Sequence, residues 1–174
     1  MDVLINNAGI FPEYAGSDGS PSPGILEVDE ATLHEHLSVN AFGPLRLAQA
    51  VIPMMRRHGY GRVVNLTSGY AQLARMGRGY PAYRFSKAGL NAITRLLAAE
   101  TDGENILVNA VDPGWVRTRM GGRQATSTPQ DAAARVVEVA CLPDGAPSGV
   151  LYRHGEPGGL VGAHLLGGPA AIHG

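Results

Sequence analysis

A tyrosine and a lysine, Tyr83 and Lys87, stand four residues apart near the start of a predicted helix. Side chains at this spacing lie on one helix face and can reach a common ligand. A tyrosine hydroxyl has an ordinary pKa of about 10, and a nearby ammonium favours the phenolate and lowers that pKa. The pair therefore predicts general acid–base chemistry on an alcohol or a carbonyl group. An ordinary solvated helix face is the alternative interpretation of the same spacing.

Polar or glycine-rich segments follow three predicted strands. They are residues 6–9, 67–69 and 113–118, and the second of them contains Ser68. Ligands of open α/β sheets bind beyond the carboxyl ends of the strands, so we expect these segments to meet at one sheet edge. Asn40 is a further candidate, because an amide is a mediocre helix former inside a predicted helix. A surface or core-bonded amide is the alternative for Asn40.

Strands and helices alternate along the elements that must position these residues. Short apolar runs bounded by turn residues are typical of buried strands. Such alternation predicts an α/β fold with a parallel sheet and right-handed crossovers. The predicted strands cover residues 3–5, 62–67, 106–111 and 149–152. The predicted helices cover residues 30–58, with a bend at Gly43-Pro44, then 82–100 and 129–141. Residues 12–24 are predicted to form a loop.

Composition and charge exclude several other classes of protein. The chain has 174 residues and a formal charge of -1, which offers no electrostatic footprint for nucleic acid or an anionic membrane. It contains no apolar run of the roughly 18 residues that span a bilayer, and its first residues lack a signal peptide's basic flank. We therefore expect a cytoplasmic protein. The single Cys141 excludes an internal disulfide and is expected to be buried, and the histidines suggest no metal site.

Taken in order, these motifs resemble the short-chain dehydrogenase/reductase family, in its compact single-domain form. The resemblance covers about residues 2 to 155. It implies a Rossmann-type doubly wound parallel sheet, of which this chain would hold the C-terminal portion with about four strands. The Pro-Gly-Trp-Val-Arg-Thr and Met-Gly-Gly stretches are most similar to carbonyl-reductase-like members. The matching residues are Asn6-Asn7-Ala8-Gly9, Asn40, Ser68, Tyr83, Ser86, Lys87, Ala88-Gly89-Leu90, Val108-Asn109-Ala110-Val111, Pro113, Gly114, Val116 and Thr118.

The resemblance assigns a role to each matching position. Tyr83 would exchange a proton with the substrate oxygen, Lys87 would lower the tyrosine pKa and hold the nicotinamide ribose, and Ser68 would hold the substrate. Asn40 would position a water in a proton relay to Lys87. The cofactor would be NAD or NADP, which supplies the hydride. Its implied binding residues are Asn7, Ala8, Gly9, Tyr83, Lys87, Pro113, Gly114, Val116 and Thr118.

The sequence departs from the family at its start. The family opens with a glycine-rich turn that places a helix N-terminus against the cofactor diphosphate, and nothing here replaces it. The nearest glycine cluster, Gly155–Gly159, precedes no convincing helix and is interpreted as a loop. We therefore expect a partial catalytic domain over residues 1–155 and a glycine-rich tail over residues 156–174. A non-catalytic remnant acting as an interaction module is the alternative function, and an epimerase is disfavoured because no larger substrate domain follows.

Substrate and partners are predicted only coarsely. The segment after Thr118, with Tyr70, Leu73, Met76 and Trp115, is expected to line a moderately apolar pocket for a small carbonyl compound or alcohol. The helices at 30–58 and 82–100 are expected to form a homo-oligomer in a completed protein. We also expect the 174-residue chain to bind NAD(P) poorly and to self-associate, because residues 3–5 would form an uncovered strand edge.

Overall fold

The computed structural model of this chain describes residues 1–12, 22–153 and 155–160. They form a five-stranded sheet in which the first four strands are parallel and the fifth is antiparallel to the fourth. The predicted α/β fold is thus confirmed. The strands, in both chain and spatial order, are β1 (Val3–Asn6), β2 (Gly61–Leu66), β3 (Ile106–Asp112), β4 (Leu151–Arg153) and β5 (Glu156–Gly158). The helices are α1 (Glu30–Leu37), a π-helical turn (Ser38–Phe42), α2 (Gly43–His58), α3 (Pro81–Glu100) and α4 (Pro129–Ala140).

Helices pack on both faces of this sheet. On one face, α2 and α3 bury Met55 and Leu97 against Val63 of β2. On the other face, α4 buries Val136 against Val64 of β2. Successive residues of a strand point to opposite faces, so neighbouring valines of β2 serve different layers. This arrangement leaves the carboxyl ends of β1, β2 and β3 free to carry a site.

The helix predicted over residues 30–58 is interrupted earlier than expected. A π-helical turn over Ser38–Phe42 separates α1 from α2, and the Gly43 N–H donates to the Ser38 carbonyl. Gly43-Pro44 does not bend a continuous helix but begins α2. Proline is well suited to this position because the first turn of a helix needs no N–H from it. The turn is important for the site because it contains Asn40.

One side of the sheet is open at β1. This strand pairs with β2 alone among the residues described. Leu4 packs against the core beneath α2 and α3. Val3 and Ile5 point to the other face and remain 39% and 40% exposed. Within the described residues, β1 is therefore an edge strand with two partly exposed apolar side chains, and its exposure in the whole chain stays a prediction.

Two other expectations are corrected. The loop predicted over Gly155–Gly159 contains β5, since Glu156 and Gly158 pair with Arg153 and Leu151 of β4. Cys141 follows the last turn of α4 and is exposed rather than buried. Most of the predicted loop at 12–24, and the tail beyond residue 160, lie outside the described residues. Within the described part of the chain, no helix is long and apolar enough to cross a membrane.

Candidate active site

The start of α3 brings Tyr83 and Lys87 against the carboxyl end of β2. Lys87 Nζ donates a 2.8 Å hydrogen bond to the carbonyl of Leu66, the last residue of that strand. Ser68, two residues further on, acts on the Tyr83 hydroxyl and lowers its pKa. A Cβ atom added to Gly9 would lie 3.4 Å from Lys87 Nζ. The segments after β1 and β2 therefore meet α3 at one edge of the sheet.

Asn40 is completely buried, and its amide holds the segment that follows β1. Asn40 Oδ1 accepts the Ile10 N–H at 2.8 Å, while Nδ2 donates to the Ile10 carbonyl and to Ser86 Oγ, each at 3.0 Å. A Cβ on Gly9 would stand 3.2 Å from Asn40 Oδ1, so a larger residue there would press on the amide. The water-positioning role of Asn40 stays a prediction. Its side chain clamps Ile10 to α3.

Burial changes the pKa values of Tyr83 and Lys87 in opposite directions. It raises the pKa of Tyr83 to about 12, with smaller contributions from Ser68, which lowers it, and from Asp112 and Tyr70, which raise it. Burial also lowers the pKa of Lys87 to about 8. The net shift of the Tyr83 pKa is thus upward, and the lowering by Lys87 that the resemblance implies stays a prediction. Lys87 Nζ lies 5.9 Å from the Tyr83 ring centroid and is turned to Leu66.

This protonation state suits one direction of proton transfer. A hydroxyl with a pKa of about 12 is a neutral phenol at pH 7, so Tyr83 is able to donate a proton. Donation to a carbonyl oxygen is the step that a reduction requires. Abstraction of a proton from an alcohol would first require a change that favours the phenolate.

Aromatic rings surround Tyr83. Phe11 stacks on it with ring centroids 3.9 Å apart and an interplanar angle of 18°. The ring centroids of Tyr80 and Tyr70 lie 5.0 and 6.3 Å from that of Phe11. Tyr80 has a left-handed backbone with φ 57°, which is uncommon for a residue other than glycine. Its N–H donates to Ser22 Oγ at 2.7 Å. Tyr80 therefore belongs to the aromatic cluster around Tyr83.

The segment after β3 is ordered by hydrogen bonds. The Gly114 N–H donates to Asp112 Oδ1 at 3.0 Å, with a φ of 79° that favours glycine. The Pro113 carbonyl accepts from Arg135 Nη1 at 3.1 Å. Thr118 Oγ1 accepts the Gly121 N–H at 3.1 Å. Val116 forms an isolated bridge with Ser127. These contacts hold the residues that were assigned to the nicotinamide.

The cleft beside Thr118 is cationic rather than apolar. It has a volume of about 540 Å³ and is lined by Arg117, Thr118, Arg119, Gly122 and Arg123. Tyr70, Leu73, Met76 and Trp115, predicted to make an apolar pocket here, are all exposed. A larger cavity of about 780 Å³ lies at the opposite end of the sheet, near Ile106 at the start of β3. It contains none of the candidate catalytic residues.

The sequence motifs singled out Asn6 at this edge but missed Asn65 and Thr94, the two buried polar residues to which Asn6 is connected. Asn6 Nδ2 donates to Asn65 Oδ1 at 2.7 Å, and Asn65 Nδ2 donates to Thr94 Oγ1 at 2.9 Å, which forms a buried polar chain across the sheet. The sequence did carry a signal for Asn65, because a polar residue inside an otherwise apolar strand needs a buried hydrogen-bond partner. Phe11 and the pairing of Asp112 with Arg153 had no local signal, because each depends on a contact with a distant segment.

Comparison with known proteins identifies the family. A family model described as enoyl-(acyl carrier protein) reductase matches residues 1–145. The chain is 35% identical over 140 residues to the C-signal of Myxococcus xanthus and covers 80% of each protein. It is 32% identical over 162 residues to the short-chain dehydrogenase anuI of Penicillium roqueforti, covering 84% of this chain and 59% of that relative. This chain belongs to the short-chain dehydrogenase/reductase family.

Solved structures agree with this assignment. The NADPH-bound carbonyl reductase from chicken fatty liver has a TM-score of 0.76 at 25% identity, over 91% of this chain and 66% of that one. The carbonyl reductase Sniffer of D. melanogaster has a TM-score of 0.74 at 28% identity, over 88% of this chain and 63% of that one. The chain thus spans 59–66% of these carbonyl reductases and of anuI, but 80% of the C-signal protein.

NAD(P) is the cofactor of this family, and the residues present fit one half of it. A Cβ atom on Gly9 would crowd Asn40 Oδ1 and Lys87 Nζ. Because glycine has no Cβ, a ligand could approach the backbone closely at this position. The ordered segment from Pro113 to Thr118 borders the same edge. Among the described residues, no glycine-rich turn leads from a strand into a helix to cradle a diphosphate.

Proposed function

We propose that this chain provides the substrate and nicotinamide half of an NAD(P)-dependent oxidoreductase that interconverts a small carbonyl compound and an alcohol. The observation that carries the proposal is the burial of Tyr83 as a neutral phenol at the carboxyl end of the sheet, with Lys87 buried one helical turn away and bound to the end of β2. Ser68 would hold the substrate oxygen and Tyr83 would donate a proton to it. Asn40 clamps Ile10, and so fixes the wall that Phe11 forms.

The cofactor would supply the hydride when bound. Gly9 and its neighbours Asn7 and Ala8 would let the backbone approach the nicotinamide side, and Lys87 would hold the ribose. The segment from Pro113 to Thr118 would border the ring. The arginines of the cleft beside Thr118 favour a carbonyl substrate that carries negative charge.

Restoring a complete cofactor site tests the proposal. The chain would be fused to the N-terminal glycine-rich segment of a carbonyl reductase relative, and NAD(P)H oxidation measured with neutral ketones and oxo acids. Tyr83→Phe should lower kcat by on the order of 10²–10⁴-fold, because a proton donor is lost, while the Kd for NADPH stays nearly unchanged. Tyr80→Phe is the matched control and should keep most of the turnover. Near-full turnover by Tyr83→Phe would exclude the assignment.

A second candidate function is a non-catalytic interaction module. The likeness to the C-signal protein favours it, since the match covers 80% of both chains, in contrast to the longer dehydrogenases. Calorimetric titration of the fusion protein with NADH and NADPH separates the two functions. A cooperatively folded fusion protein that binds neither nucleotide supports the interaction module, whereas tight binding of either one supports the enzyme.

A further inference from the structure

A buried carboxylate at the end of β3 acts through its charge on the candidate catalytic tyrosine. Asp112, the last residue of β3, is 3% exposed. Its Oδ1 accepts the Gly114 N–H at 3.0 Å, and its Oδ2 accepts from Arg153 Nε at 2.8 Å and pairs with Arg153 Nη2 at 2.6 Å. A buried charge is costly unless it is paired and hydrogen-bonded. The guanidinium supplies the pairing, and the Gly114 N–H supplies a further hydrogen bond.

The sheet register places the two residues opposite each other. Asp112 and Arg153 are direct partners in the parallel pairing of β3 with β4. The same pair packs against Gly69, the residue after Ser68. A Cβ at Gly69 would collide with Arg153 Nη2 and would lie 3.3 Å from Asp112 Oδ2. The ion pair therefore occupies the space beneath the turn that holds Ser68 against Tyr83.

We propose that Arg153 is a positioning residue, whose ion pair with Asp112 supports the Ser68–Gly69 turn and compensates the carboxylate that acts on Tyr83. The proposal rests on the proposed function, because the turn and Tyr83 are its candidate machinery. Arg153 acts through Asp112 and Gly69. It is not assigned a contact with the substrate.

The charges around Tyr83 fix the sign of the expected effect. From its own helix Tyr83 faces Lys87, from the segment after β2 it faces Ser68 and Tyr70, and from β3 it faces Asp112. Phe11, which stacks on it from the segment after β1, is uncharged. A negative charge disfavours a phenolate, so Asp112 raises the pKa of Tyr83. Removing Arg153 should raise that pKa further, and neutralising Asp112 should lower it.

A titration of the 174-residue chain without substrate or cofactor tests this. Tyr83 would be replaced by 2,3,5-trifluorotyrosine, whose more acidic hydroxyl titrates at a pH at which the fold is stable. The titration would be followed by ultraviolet absorbance. Arg153→Met should raise the pKa at position 83 by on the order of one unit, a tenfold change in the acid constant. Arg153→Lys should keep most of the parent value. Asp112→Asn should lower the pKa, and the double variant Asp112→Asn with Arg153→Met should lie between the two single variants.

Arg135→Met is the matched control, since Arg135 donates to Pro113 rather than to Asp112, and the pKa should stay at the parent value. An unchanged pKa in a folded Arg153→Met chain would overturn the proposal. If Arg153→Met does not fold, Asp112→Asn and Arg153→Lys test the proposal instead. A pKa at position 83 that Asp112→Asn does not lower would then overturn the proposal. No step requires turnover, so an inactive fusion enzyme would count against the proposed function and leave this result standing.

Discussion

At the scale of single residues, burial controls the protonation of the candidate catalytic pair. Tyr83 and Lys87 are 8% and 5% exposed, and each loses stabilisation of its charged form. The pKa of Tyr83 therefore rises to about 12 and that of Lys87 falls to about 8. Both groups approach neutrality at mildly alkaline pH, instead of forming a phenolate–ammonium pair.

The lowered pKa of Lys87 predicts a pH-dependent stability. Between its folded pKa of about 8 and its ordinary value of 10.5, the unfolded chain binds more protons than the folded chain. Stability should therefore increase as pH rises through this window. We expect the contribution of Lys87 to the free energy of unfolding to rise by about 2 kcal/mol between about pH 7 and about pH 9.5.

Urea unfolding of the native chain and of Lys87→Met at both pH values checks this expectation. The difference between the two proteins isolates Lys87, because all other groups are shared. The pH range ends below the ordinary pKa of 10.0 of Tyr83, whose raised pKa would act in the opposite direction. Parallel stability curves for the two proteins would contradict the prediction.

At the scale of elements, an irregular turn builds the site on a regular sheet. The π-helical turn contains Asn40 and brings its amide to the backbone of Ile10. The helix predicted over residues 30–58 did not include this turn. Such turns are rare and occur often at functional sites. This turn connects the segment after β1, and hence Phe11, to α3 through Ser86.

Asn40→Ala should loosen that connection. It leaves the partly buried Ile10 N–H and carbonyl without their partners, which should cost about 1–3 kcal/mol of unfolding free energy. The Ile10 amide should also exchange with deuterium faster. Asn7→Ala, an exposed asparagine in the same segment, is the control and should change stability by less than about 0.5 kcal/mol. Equal effects of the two substitutions would show that the clamp contributes little.

At the scale of the whole molecule, two apolar surfaces are available for association. One is the β1 edge, where Val3 and Ile5 are 39% and 40% exposed. The other is the outer face of the helices, where Leu47 and Leu96 are exposed. Other apolar residues of these helices are covered: Val51, Ile52 and Leu97 are buried in the core beneath α2 and α3, and Leu45 packs partly buried against it.

We expect the 174-residue chain to self-associate through β1 and to bind NAD(P) poorly. An unpaired strand with apolar side chains is a template for another chain, and the described residues provide no diphosphate cradle. Sedimentation should show concentration-dependent association that Ile5→Lys reduces. Calorimetry with NADH and NADPH should detect only weak binding. A well-behaved monomer that binds either nucleotide at micromolar concentration would contradict both halves of the prediction.

A completed protein should instead form a homo-oligomer through its helices. Leu47 of α2 and Leu96 of α3 would supply apolar contacts that the sheet does not cover. Light scattering of the fusion enzyme at micromolar concentration should report an oligomer that Leu47→Lys with Leu96→Lys converts to a monomer. Ile5→Lys should have no effect there, since β1 would be paired. A monomeric parent protein would exclude this surface.

The sequence by itself determined the alternation of strands and helices, the position of α3 and the common edge of the candidate site. These features are local or periodic: four-residue spacing puts Tyr83 and Lys87 on one helix face, and apolar runs predict the parallel strands. The element boundaries agreed within one or two residues, except in the interrupted helix and in β5. The π-helical turn and β5 escaped prediction because their short segments carry no periodic pattern.

Only the tertiary structure decided the environment of each candidate residue. The pKa of Tyr83 depends on burial and on Asp112, which is 29 residues away along the chain. The stacking of Phe11, the clamp of Asn40 on Ile10 and the cross-strand pair of Asp112 with Arg153 likewise join distant segments. Desolvation and Coulomb interactions depend on distance in space rather than on separation in sequence, so motif and spacing could name these residues but not their charge states.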